Sequence, residues 1–397
     1  MWELDKDGSE IVSGGVITGG GGDQNNGGGV LVAGGTLTMA GGSIVGCSAR
    51  SRGGGVYLGK DSDTGKSGTF IMTSGSIIGC AAQLGGGVYV TSGCTFVMAT
   101  SSNIHNCIAN NDGGGVINHG TFQMRGGTIS TCTTVAFGGG GVCNNGTFIM
   151  SDGMIKGCTS PDGQYASGGG VRNSNQFTMT GGMIGDPDNE NDASHVYNTS
   201  SQETTLTISG NAKIYTDITN VGILNADGGE IAGTMTNDTN RYGTGSEGAA
   251  GSTEFHGKVT NTGTIRKGTF KNEVINESSG TINGGTFTGA ITNNDGMVLD
   301  GDFSGATLNG MLVITFDPNN GDQPSTQKVN WSKDGAALTA PDPVPTNEGH
   351  SIEGWYYDNN GTETKWNFDT DTVKCTMTLK AKWELSTYSV TLQTDGG

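Results

Sequence analysis

Six Gly-Gly-Gly-Val blocks punctuate the first half of this chain, closing at Val30, Val56, Val88, Val116, Val142 and Val171, so that the pattern recurs at a near-constant period. Each block is followed by a second apolar cluster and then a third, as in Thr121-Phe122-Gln123-Met124 and Gly126-Gly127-Thr128-Ile129. One supersecondary unit is being stacked. With 74 glycines among 397 residues and only 32% apolar residues, scattered glycine would read as low complexity. Here glycine sits at the corners of each repeat. Val, Ile, Phe and Met alternate between the corners at a period of two, which is the pattern of short strands with one buried face. No stretch has the period or length of a good helix.

Three short strands per repeat, joined by tight turns, predict an all-β, right-handed parallel β-helix whose coils stack at about 4.8 Å. A propeller blade, with about 40 residues and four antiparallel strands, fits less well. Val116 and Asn118 fall on the first strand of a coil, Phe122 and Met124 on the second and Ile129 on the third. Val142, Asn144, Phe148, Met150 and Ile155 repeat them one coil later.

Two further columns follow from that alignment. An apolar-x-Asn signature recurs at Asn118, Asn144, Asn173, Asn198, Asn225, Asn261, Asn276 and Asn293. Stacked amides at a turn can hydrogen-bond along the axis, so the column reads as a structural ladder rather than a binding strip. Cys47, Cys80, Cys107, Cys132 and Cys158 each lie three residues after an isoleucine and share one place in the coil. No CxxC spacing supports zinc, and no cofactor or metal is implied. Stacked Cα atoms are close enough for disulfides, yet five parallel side chains cannot pair evenly. A ladder of small buried thiols is the favoured reading.

Large coils, each about 25–32 residues long, are expected over 1–240. Narrower coils of about 16–17 residues are expected over 241–310, where Phe270, Phe287 and Phe303 recur. The Gly/Ser-rich stretch Tyr242 to Ser252 reads as a surface loop between them. Ten to twelve rungs would make a rod on the order of 50 to 60 Å long. Near Met311 the composition breaks: five of seven prolines and four of five tryptophans lie beyond it, as expected of a globular module.

That module carries Val313-Ile314-Thr315-Phe316-Asp317-Pro318-Asn319-Asn320-Gly321, Gly349-His350-Ser351-Ile352-Glu353-Gly354-Trp355-Tyr356, Trp366-Asn367-Phe368-Asp369 and Met377-Thr378-Leu379-Lys380-Ala381-Lys382-Trp383. In order and spacing these closely resemble the internalin-B-type B repeat, or Listeria-Bacteroides repeat, placed over 311–385. The motif restarts at Tyr388, so 386–397 reads as the start of a second repeat and a longer parent protein is expected. The resemblance implies a small β-grasp-like module of bacterial surface proteins, without catalytic residues, with Trp355, Trp366 and Trp383 as core anchors. The solenoid also resembles, by pattern, the pectate-lyase-like β-helices of adhesin-like surface proteins. Both imply an extracellular, cell-surface or envelope location in a bacterium.

With 20 basic and 38 acidic residues the net charge is −18, which argues against nucleic acid and anionic membranes as partners. No apolar run is long enough for a membrane span. The start, Met1-Trp2-Glu3-Leu4-Asp5, does not read as a signal peptide. Carbohydrate-active β-helices gather carboxylates on one outward face. Here the outward column of the first strand reads Leu31, Tyr57, Tyr89, Ile117, Cys143, Arg172, Tyr197, with no carboxylate.

Two functions are therefore weighed. One is a non-catalytic, adhesin-like surface protein whose exposed Tyr57, Tyr89, Arg172 and Tyr197 face would contact glycans or host or microbial surface proteins. The other is a polysaccharide lyase or glycoside hydrolase with a site in loops such as Pro161 to Ser167 or Gly185 to Ala193.

Overall fold

In the computed structural model the described residues are 2–21, 25–136, 138–161, 168–189, 192–199, 204–237, 253–359 and 361–387. The proposed surface loop Tyr242 to Ser252, most of the candidate loop Pro161 to Ser167 and the second repeat start at Tyr388 lie outside them. Inward-facing Val, Phe, Met and Ile columns dictate the architecture, because each can bury its side chain only against its own counterpart one coil away. First strands pair parallel and in register from Val30 through Val56, Val88, Val116, Val142, Val171, Val196, Ile218, Met235, Val259, Val274 and Ile291 to Leu308. Trp2 pairs with Val30 at the other end. At about 4.8 Å per step the stacked coils reach roughly 60 Å.

On the second strand, Phe70, Phe96, Phe122, Phe148 and Phe177 form a ring stack with centroid spacings of 5.1, 4.8, 4.8 and 4.5 Å. A methionine column from Met39 to Met179 lies beside it, wholly buried apart from Met39 at 3% exposure. The third strand stacks Ile44, Ile77, Ile104, Ile129, Ile155, Ile184, Ile214 and Ile231. At Phe255 that same column turns aromatic and continues through Phe270 and Phe287. The aromatic bulk has moved from the second strand to the third, which suits a narrower cross-section.

The narrowing begins before position 241. Val196 pairs with Ile218 and Ile218 with Met235, so these coils are already shorter than the ones that join Val116, Val142 and Val171. The longer coils owe their length to an extra segment between the cysteine and the glycine block, which forms a small parallel sheet from Ala81–Leu84, Ile108–Asp112 and Thr133–Thr134.

The strand Thr307–Asp317 belongs to both domains: it pairs with Ala290–Asn293 up to Gly310, then with Ser325–Asn330 from Met311. The module's sheet places Thr307–Asp317 between Ser325–Asn330 and Met377–Leu385, followed by His350–Asn359 and Thr362–Lys365. First and last main strands run parallel at its centre, a β-grasp order, although no helix occurs among the described residues.

Candidate functional site

The outward first-strand column is one register: Leu31, Tyr57, Tyr89, Ile117, Cys143, Arg172 and Tyr197 pair in turn. It is not an open face. Tyr57 and Tyr89 stack at 5.4 Å, but Tyr89 is only 7% exposed, Ile117 1% and Cys143 0%. These form a second, smaller core with Leu84, which comes from the extra sheet segment. The Arg52 guanidinium covers the Tyr89 ring at 5.4 Å from its centre. Arg172 and Tyr197 are half-buried and lie beyond Ile117 and Cys143, so the four residues do not make one exposed patch. Arg172 donates to Ser174 Oγ at 3.0 Å. The reason is local: residues between the cysteine and the glycines fold back over the column, a contact that strand alternation does not encode.

Burial sets the electrostatics there. It raises the Tyr89 phenol above its ordinary value, with Arg52 opposing. Burial and then Arg52 lower the His119 imidazole, and burial followed by Asp112 pushes the Cys143 thiol up to about 11. Each of these groups is held neutral near pH 7.

The asparagine ladder is longer than its sequence signature and passes by a different route. Nδ2 of each residue donates to Oδ1 of the next from Asn118 through Asn144, Asn173, Asn198, Asn220, Asn237, Asn261 and Asn276 to Asn293, at 2.7 to 3.0 Å. Asn225 is not a member: it sits on a second strand, beside Thr207, and is half-buried. Asn220 and Asn237 take its place, each carrying the same apolar-x-Asn signature after Ile218 and Met235. Upstream the column is apolar, with Val90 directly before Asn118.

Cys47, Cys80, Cys107, Cys132 and Cys158 are free and fully buried. Each of the last four points its Sγ at a carbonyl of the coil below, Ile44, Ile77, Ile104 and Ile129, at 3.7 to 3.8 Å. Burial and the neighbouring thiols push Cys132 up, so it stays protonated and unreactive. Because the side chains of all five are closed off from solvent, alkylation of the native, unreduced protein should leave them unmodified, and all eight cysteines should react after denaturation. Mass spectrometry finding adjacent-coil cysteines bridged would contradict this.

Exposed charges pair across coils instead of converging: Lys156 with Asp186 at 2.9 Å, Lys213 with Glu230 at 3.2 Å and Lys258 with Glu273 at 2.9 Å. Among the described residues no group of His, Cys, Asp and Glu is arranged to hold a metal. In the module Trp355 and Trp366 are buried, while half-buried Trp383 donates Nε1–H to the Pro318 carbonyl at 2.8 Å. A groove of about 490 Å³ runs beside Trp355, walled also by Phe316, Pro318, Pro341 and Pro343.

Residues 313–382 match the Listeria-Bacteroides repeat domain family, so the motif resemblance holds over that stretch. The solenoid matches no pectate-lyase family. A "Putative Gly-rich membrane protein" of Evansella cellulosilytica is 45% identical over 85 residues, 21% of this chain and 9% of that protein. A "Putative membrane protein" of the same organism is 42% identical over 87 residues, 22% of this chain and 12% of its own length. The matched stretch is about a tenth of either relative.

Proposed function

We propose that this chain is the non-catalytic, adhesin-like rod of a bacterial cell-surface or secreted protein. The observation that carries the proposal is a single core that runs through every rung and continues, without a linker, into a Listeria-Bacteroides repeat. Such a column of cross-coil hydrogen bonds resists bending and holds whatever it displays away from its anchor. Relatives named as membrane proteins, one of them Gly-rich, support an envelope location. So does the pattern resemblance to pectate-lyase-like surface β-helices.

Because the tyrosine column is covered, the open contact face is the outward side of the second strand. There Thr69, Thr95, Thr121 and Thr147 stack in one column and Ile71, Val97, Gln123 and Ile149 in the next. The two columns carry no charge of their own in a chain of net charge −18, and the Arg125 guanidinium at their edge is engaged by Gln123 Oε1 at 2.6 Å, which favours uncharged glycans over ionic partners. Changing Ile71 and Ile149 together to Glu alters only side chains directed outward. The variant should lose adhesion to glycans or cells by about tenfold, with its melting temperature shifted little. Equal adhesion would remove this face, and release of reducing or unsaturated ends from any polysaccharide by the wild type would overturn the non-catalytic reading.

A further inference from the structure

A solenoid has a weakness that its length does not cure. The last coil presents strand edges and the open end of the core, and both are templates for another chain. In this protein each inward column ends on a residue of the Listeria-Bacteroides repeat or of the strand leading into it. The valine column closes with Ile291 under Leu308, which lies in the shared strand Thr307–Asp317. The phenylalanine column runs Phe287 to Phe303 at 5.3 Å, and the Trp331 ring then meets Phe303 edge-on at 5.1 Å. On the remaining strand, Val298 N–H donates to Thr376 Oγ1 at 3.3 Å and Thr376 N–H donates to the Val298 carbonyl at 2.8 Å.

The polar ladder ends in the same way. Asn293 Nδ2 donates to the Met311 carbonyl at 2.7 Å, and Trp331 N–H donates to the Gly310 carbonyl at 3.0 Å. Gly310 is where the shared strand leaves one sheet for the other. Its φ of +96° and a Cβ position 2.2 Å from the Asn293 carbonyl oxygen require glycine. On the rim Lys328 pairs with Asp295 at 2.5 Å, and Lys333 Nζ donates to the Ser304 carbonyl at 3.0 Å.

We propose that this repeat is the C-terminal cap of the β-helix, closing the last rung against pairing with a second copy of the chain and joining rod and module into one stiff body. The inference is independent of where the protein resides. It gives the first repeat a task distinct from that of a flexible stalk: its Trp331 and Thr376 stand where the next coil's side chain and backbone would otherwise be.

The test uses the full chain. In the wild type the Val298 and Thr376 amides should exchange slowly and together, and sedimentation should show one species across concentration. Trp331→Ala removes the ring over Phe303. Because Trp331 also donates Nε1–H to the Lys374 carbonyl at 3.0 Å, that variant could unfold the module. Lys328→Glu with Lys333→Glu changes only exposed rim groups. It should speed exchange at Val298 and Thr376 by about tenfold, leave Leu379 inside the module protected, and produce concentration-dependent association. Unchanged exchange at Val298 in both variants would overturn the docking, and faster exchange without association would overturn the capping role.

Discussion

Replacing Asn173 by leucine will destabilise the protein by about 2–4 kcal/mol, although the new side chain is of similar size and apolar. Asn173 lies inside the ladder. Its Oδ1 accepts from Asn144 at 2.7 Å, and its Nδ2 donates to Asn198 Oδ1 at 2.7 Å and to the Asn175 and Thr205 carbonyls at 3.0 Å. Leucine would leave the buried Asn198 oxygen without this donor and Asn144 with one acceptor fewer. Asn118→Val should cost less, about 1 kcal/mol, because Asn118 is the first member of the ladder. Asn144 Oδ1 loses its donor but keeps Gly146 N–H at 3.3 Å, no ladder amide loses an acceptor, and the valine extends the apolar column that ends at Val90. Asn225→Leu, outside the ladder, should stay within about 0.5 kcal/mol. Denaturant midpoints measured on the three variants decide the matter, and equal shifts for Asn173 and Asn225 would show that the ladder contributes nothing.

Asn225 also marks where the sequence stops being readable. Ile218-Thr219-Asn220 and Ile223-Leu224-Asn225 carry the same signature almost back to back. The second strand follows the first just as closely in the long coils, but there it reads Thr121-Phe122-Gln123, whereas here it reads Ile223-Leu224-Asn225 and so mimics the first-strand signature by composition alone. The inward columns remained legible because each position must match its own counterpart above and below. Val116, Val142 and Val171 therefore stack where the repeat puts them. Exposure of the outward column was not legible. Tyr89 looks solvent-facing by alternation, and only the folding back of Leu84 and Arg52 from a separate segment buries it. The cap was hidden for a related reason, since Trp331 and Thr376 follow no repeat.

Gly114→Ala should be more damaging than any of these, costing about 4–5 kcal/mol or preventing folding. Gly114 is the middle glycine of the block before Val116, and a Cβ there would lie 2.5 Å from the carbonyl oxygens of both Gly140 and Thr133. Neither oxygen can retreat cheaply. Gly140 accepts from Gly115 N–H at 2.9 Å, and Thr133 belongs to the extra sheet that covers the outward column. The block is therefore a packing requirement, in which the backbone turn and the sheet segment of adjacent coils touch with no layer of side chains between them. Such contact also lets the extra segment reach Tyr57 and Tyr89, so the second core depends on the glycines that precede it. Gly14 is the control, with no heavy atom within 4 Å of its Cβ position. Its alanine variant should melt within a few degrees of the wild type. If thermal unfolding shows Gly114→Ala and Gly14→Ala to be equally mild, the coils are not stacked this closely and the triple glycine needs another explanation.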